Sequence, residues 1–148
     1  MKRHYCLDDE VLNLVKQINL SDAYFEFKLG EGLVYEYSPP RGMFSMPYEE
    51  IGKDAWKIFQ NEIHHMLCED SGSPKSWVNE LISGDIRVLI LAIVSSITSK
   101  FDISLGIAIP IVALIIKKNI LTFCSDKPSI ANKTIEQLLQ EMKDRFNT

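Results

Sequence analysis

Cysteine is scarce: three residues in 148, at positions 6, 68 and 124. An odd number with no CxxC spacing does not read as a disulfide framework, so Cys6, Cys68 and Cys124 are expected as reduced thiols. The opening MKRHYCLDDE is basic at its start but lacks the apolar stretch and small-residue cleavage pattern of a secretory leader. Both absences point to a cytoplasmic protein. They also leave the glycosylation-type triplet Asn132-Lys133-Thr134 without a route to modification.

Positive charge is in short supply as well. The chain carries 16 Lys/Arg against 20 Asp/Glu, and residues 1–70 hold 7 against 13. A polyanion is normally gripped by a basic stripe on one face, and no such stripe is present, which argues against a nucleic-acid partner. A basic protein partner suits the acidic first half better. Apolar runs of membrane length are missing too. The two most apolar stretches, VLILAIVSSIT (88–98) and ISLGIAIPIVALII (103–116), have 11 and 14 residues. As helices they would reach about 16 and 21 Å, short of a hydrocarbon core about 30 Å thick. Joined into one helix, they would place Lys100 and Asp102 in mid-bilayer.

Motifs that carry chemistry are also lacking. There is no phosphate loop, dinucleotide fingerprint, nucleophile elbow or HExxH pair. His64 and Cys68 stand four apart, and His4 lies near Cys6, but zinc needs four ligands and no second close pair completes a set. A nucleophilic Cys68 beside His64 or His65 would also need an orienting group and an oxyanion donor, and the sequence points to neither. No catalytic residue, metal or cofactor is therefore expected.

What is present is helical periodicity. Val11, Leu14, Val15 and Ile18 share one face of a helix whose first turn holds Asp8, Asp9 and Glu10, where the helix dipole favours negative charge. From Pro47 a longer helix carries Ile51, Ala55, Ile58, Phe59, Ile63 and Met66. A short helix bears Trp77, Val78, Leu81 and Ile82. A last one, within 129–146, bears Ile135, Leu138, Leu139, Met142 and Phe146, with Glu141 and Arg145 paired outside. Between the first two helices the pattern changes. YFEFKL (24–29) and LVYEY (33–37) alternate with period two around Gly30-Glu31-Gly32, which reads as a β-hairpin with the glycines at its tip and Phe25, Phe27 and Leu29 on its buried face.

The apolar pair 88–98 and 103–116 has no solvent face, so it reads as a central helical hairpin wrapped by the amphipathic helices. Pro110 predicts a kink or a late helix start, and a buried strand over 103–109 is the competing reading. Lys117, Lys118 and Asn119 favour helix, since they suit a C-terminus. The expected fold is thus mainly α with a minor β element: one domain over 1–148, a layered helical globule around the apolar hairpin (88–98, 103–116), with one N-terminal β-hairpin (24–37). The leading function is a non-catalytic interaction or accessory subunit that binds a protein through Tyr24, Tyr35, Tyr37, Phe44 and Tyr48, because interaction surfaces are rich in aromatics. The alternatives are a conditional membrane-acting effector that inserts 88–116 and, behind it, a small hydrolase centred on Cys68 and His64.

Overall fold

A computed structural model describes residues 7–37, 47–128 and 130–146. Among them run eight helices: α1 (Leu7–Gln17), α2 (Asp22–Tyr37), α3 (Tyr48–Leu67), α4 (Ser76–Ile82), α5 (Ile86–Phe101), α6 (Leu105–Lys118), α7 (Ile120–Ser125) and α8 (Ile135–Phe146). Their buried side chains form one connected cluster extending from Val11 to Met142.

The mainly helical expectation holds, and the β-hairpin does not. Residues 24–37 lie inside α2. The stretch contains two periods, and the helical one wins: Phe25, Leu29 and Leu33 recur every four residues and are buried together with Gly30 and Val34. Neither Gly30 nor Gly32 adopts positive φ. They serve close approach instead. A Cβ on Gly30 would strike the backbone carbonyl of Tyr48, and a Cβ on Gly52 would strike that of Glu26. Each helix thus offers a glycine four residues after the carbonyl that its partner's glycine receives. The matches 26 to 52 and 30 to 48 make α2 and α3 antiparallel, with their backbones in contact.

Gly32 plays the same part toward α6, where a Cβ would meet the carbonyl of Gly106. That carbonyl is special because Pro110, four residues on and inside the helix, has no N–H to bond it. α6 therefore runs unbroken through Pro110 from Leu105, settling the question of a strand over 103–109. It turns the Gly106 oxygen, which Pro110 cannot bond, toward a position of α2 with no side chain.

α6 is the enclosed helix, buried at Ile107, Ala108 and every position from Pro110 to Ile115. It is packed against α1, α2, α5 and α7. α5 is different. Leu89, Ile90, Ile93, Val94 and Ile97 are buried, but Ile86 and Val88 are 42% and 49% exposed. Asp102 in the left-handed region ends α5, and three residues later α6 begins. No described helix is long and apolar enough to cross a membrane.

Two elements have no counterpart in the sequence reading. The first, α7, follows Asn119, whose φ of 72° ends α6 and whose side chain caps the next helix by accepting from the Leu121 N–H at 2.9 Å. The second is a capping box on α8: Thr134 Oγ1 accepts from the Gln137 N–H at 3.1 Å, and Gln137 Oε1 accepts from the Thr134 N–H at 2.9 Å. α8 accordingly starts at Ile135 rather than at 129. Glu141 pairs with Lys133 at 2.7 Å.

Candidate interaction surface

α2 and the first turn of α3 distribute the aromatic side chains. Phe27, expected in the core, lies 40% exposed. It meets the half-buried Tyr48 ring edge to face, with centroids 5.3 Å apart. The reason is the α2–α3 contact itself: once Gly30 seats on the Tyr48 backbone, the Tyr48 side chain is carried to the neighbouring turn of α2, where Phe27 projects. The other described members of the predicted set, Tyr24, Tyr35 and Tyr37, are spread along α2. Tyr24, one turn earlier, packs edge-on to buried Phe25 at 5.2 Å. Tyr35 is exposed two turns later. Tyr37 closes the helix with the Lys143 ammonium 5.9 Å from its ring centroid, a cation–π contact that ties α2 to α8. Phe44 lies outside the described residues. Tyr24 and Tyr37 stand 13 positions apart, about 20 Å along the helix, and Phe27 and Tyr48 form the compact aromatic pair. Phe27 was missed because a strand pattern put it on the same face as Phe25 and Leu29, whereas in a helix residues two apart point about 200° apart.

Acidic groups surround the pair. Glu26 and Glu49 sit beside it in sequence, and Glu31 follows Phe27 by one turn. The Glu26 carboxyl is held above the ordinary carboxylate range, first by burial and then by the nearby charges of Asp22 and Glu49, while Lys53 opposes them. The cations here are already engaged, Lys28 with Glu31 at 2.9 Å and Lys53 with Glu49 at 3.6 Å. The patch therefore presents an apolar centre flanked by three carboxylates, two of them, Glu31 and Glu49, paired with lysines.

A second concavity lies where α2, α3 and α6 meet. It encloses about 380 Å³ and is lined by Asp22, Trp56, Leu114, Lys117 and Lys118. Its charges are engaged within the fold. Lys117 reaches the Ile18 carbonyl at 3.4 Å and Asp22 at 3.8 Å, and Lys118 reaches Asp126 at 3.3 Å. Trp56 stacks on Phe123 of α7, centroids 6.3 Å apart.

The cysteine expectation is corrected. Cys68, the C-cap of α3, and Cys124 of α7 form a disulfide, with Cα atoms 5.3 Å apart and a sequence separation of 56. Pairs this distant in sequence carry no local spacing signal. The argument from free thiols to the cytoplasm loses two of its three cysteines, because disulfides persist mainly in oxidising surroundings. The pairing also removes the nucleophile from the hydrolase reading, since the thiolate that attacks is absent. His64 turns to structural work: its Nε2 donates to the Cys124 carbonyl at 3.1 Å, and its ring lies 5.6 Å from that of Phe123. Among the described residues no group of three or more His, Cys, Asp or Glu is placed to hold a metal ion. The sequence matches no known family model, no curated protein and no solved structure.

Proposed function

We propose that this chain is a non-catalytic interaction subunit that binds a protein partner through the face formed by α2 and the start of α3, centred on Phe27 and Tyr48. The observation that carries the reading is the exposed edge-to-face pair. Of the phenylalanine side chains described, those at 25, 59, 101 and 123 are buried or half-buried, and only Phe27 is exposed. Aromatic anchors of this kind, rigid and close to a charged rim, are where binding energy concentrates at interfaces. With Glu26, Glu31 and Glu49 around it, the fitting partner offers an apolar plug flanked by Lys or Arg.

Insertion of 88–116 into a bilayer is the competing reading. It would require α6 to leave the glycine contact with α2 and expose its whole buried length. The interaction reading needs no such rearrangement.

The test is a photo-crosslinking residue placed at position 27 and, separately, at Leu121, which is 53% exposed on a distant helix. The expected result in the native cell is a discrete protein adduct from position 27 and none from position 121. That adduct should weaken when Glu26 and Glu49 are both changed to lysine. Equal adducts at both sites, or none at 27, would sink the reading.

A further inference from the structure

We infer that the Cys68–Cys124 bond is a latch that opens without unfolding the protein: reduction frees α7 and the 68–74 turn, while α2, α3 and α6 stay packed.

The bond joins an element that needs it to one that does not. α3 is held to α2 by backbone contact at Gly30 and Gly52, and α6 is held to α2 at Gly32, all without help from the disulfide. α7 has six residues, below the length at which a helix is stable by itself. Apart from its packing, α7 is secured to α3 by the disulfide and by the His64 bond to the Cys124 carbonyl. Breaking the first leaves one hydrogen bond, besides packing, to hold a helix of six residues.

The site also holds an acceptor for the reduced thiol. Cys124 Sγ lies 3.9 Å from the Leu67 carbonyl, so the thiol has an acceptor waiting in an otherwise apolar setting. Neither sulfur meets solvent freely, with Cys68 5% and Cys124 0% exposed. The 69–74 turn lies beside them, bridged to Cys68 at Pro74. That turn is closed by the Glu69 N–H to the Ser73 carbonyl at 2.7 Å and the Lys75 N–H to the Leu67 carbonyl at 2.8 Å. Gly72, at φ 93°, rests against the Cys124 and Ser125 backbone. Glu69, Asp70 and Ser71 are exposed, so displacing this turn uncovers Cys68 first.

The exchange balances with a thiol reductant. Its thiolate attacks Cys68 Sγ and Cys124 leaves as thiolate. A second thiol resolves the mixed disulfide. Two protein thiols form, and the reductant departs as its own disulfide. Phe123 and Asp126 then lose the anchor that holds them against Trp56 and Lys118, which opens the cleft those residues line.

The experiment uses the full chain with Cys6→Ser, so that one pair alone can exchange, and compares hydrogen exchange by mass spectrometry with and without dithiothreitol. Segments 69–74 and 120–125 are expected to exchange about tenfold faster or more when reduced, with 29–34 and 107–115 changing less than about twofold. Glutathione disulfide should restore the first pattern. The inference is overturned if all four segments accelerate together, which would make the bond a staple of the whole fold, or if none does. A Cys68→Ser/Cys124→Ser variant, giving the reduced pattern without any reductant, guards against side effects of dithiothreitol. If it shows the oxidised pattern instead, the inference fails.

Discussion

The α2–α3–α6 half and the α7–α8 half of this molecule are held by opposite means. In the first, helices are fixed by what is missing: no Cβ at 30, 32 and 52, so that carbonyls of the facing helix sit where side chains would be. In the second, they are fixed by specific bonds added to α3: a disulfide from Cys68, a hydrogen bond from His64, and the Glu62 carboxylate accepting the Ile135 N–H at 3.0 Å. The first kind of contact tolerates no addition. The second tolerates loss in proportion to the bond removed.

The sharpest way to break the comparison is Gly30→Val. A branched side chain facing the Tyr48 backbone has nowhere to go, because a carbonyl cannot rotate aside as a flexible side chain can. The expected loss is more than about 4 kcal/mol, a large share of the roughly 5–15 kcal/mol that holds an ordinary domain, read as a lowered midpoint of the helical circular-dichroism transition. Gly30→Val retaining a cooperative transition near that of the parent would show that α2 and α3 are not in backbone contact. Next comes the Cys68→Ser/Cys124→Ser pair. Removing a cross-link over 56 residues should lower the denaturant-derived stability by about 2–4 kcal/mol and leave a folded protein.

Glu62→Gln tests the smallest of the added bonds. It keeps an acceptor but removes the negative charge at the start of α8, with an expected loss of about 0.5–1 kcal/mol that shrinks as salt is raised. Least of all is Glu26→Gln. The folded-state pKa of Glu26 lies above its ordinary value, so the native state binds the proton more readily than the unfolded chain. Stability therefore falls as pH rises from the unfolded value through the folded one. Glutamine removes that loss. The variant should melt slightly above the parent at pH 7, with the gap closing toward pH 4.

Much of the fold was legible. α1, α3, α5, α6 and α8 follow from apolar residues at helical spacing, and the dipole-matched ends of α3 fell where acids and histidines predicted. α2 was not, because YFEFKL and LVYEY satisfy both periods and glycine has two uses that a local pattern does not separate: turning a chain and admitting a neighbour. What distinguishes them here is the partner, Gly52, twenty-two residues on. α7 is six residues after a turn and too short for periodicity. The capping box at Thr134 and Gln137 was readable from its spacing and went unread. The aromatic enrichment around Tyr48 was visible, but its exposed anchor, Phe27, followed the strand reading into the core. The disulfide left no trace in cysteine spacing.

The seating of Gly32 on the Gly106 carbonyl sets an order for synthesis. Residue 106 leaves the ribosome 74 positions after residue 32, a delay of roughly 4–15 seconds at about 5–20 residues per second. The antiparallel α2–α3 pair can close as soon as residue 67 has emerged, and then waits with its remaining apolar side uncovered. During that interval the nascent chain is an incomplete sandwich, and a chaperone that shields apolar surface would find its target there rather than in the finished protein.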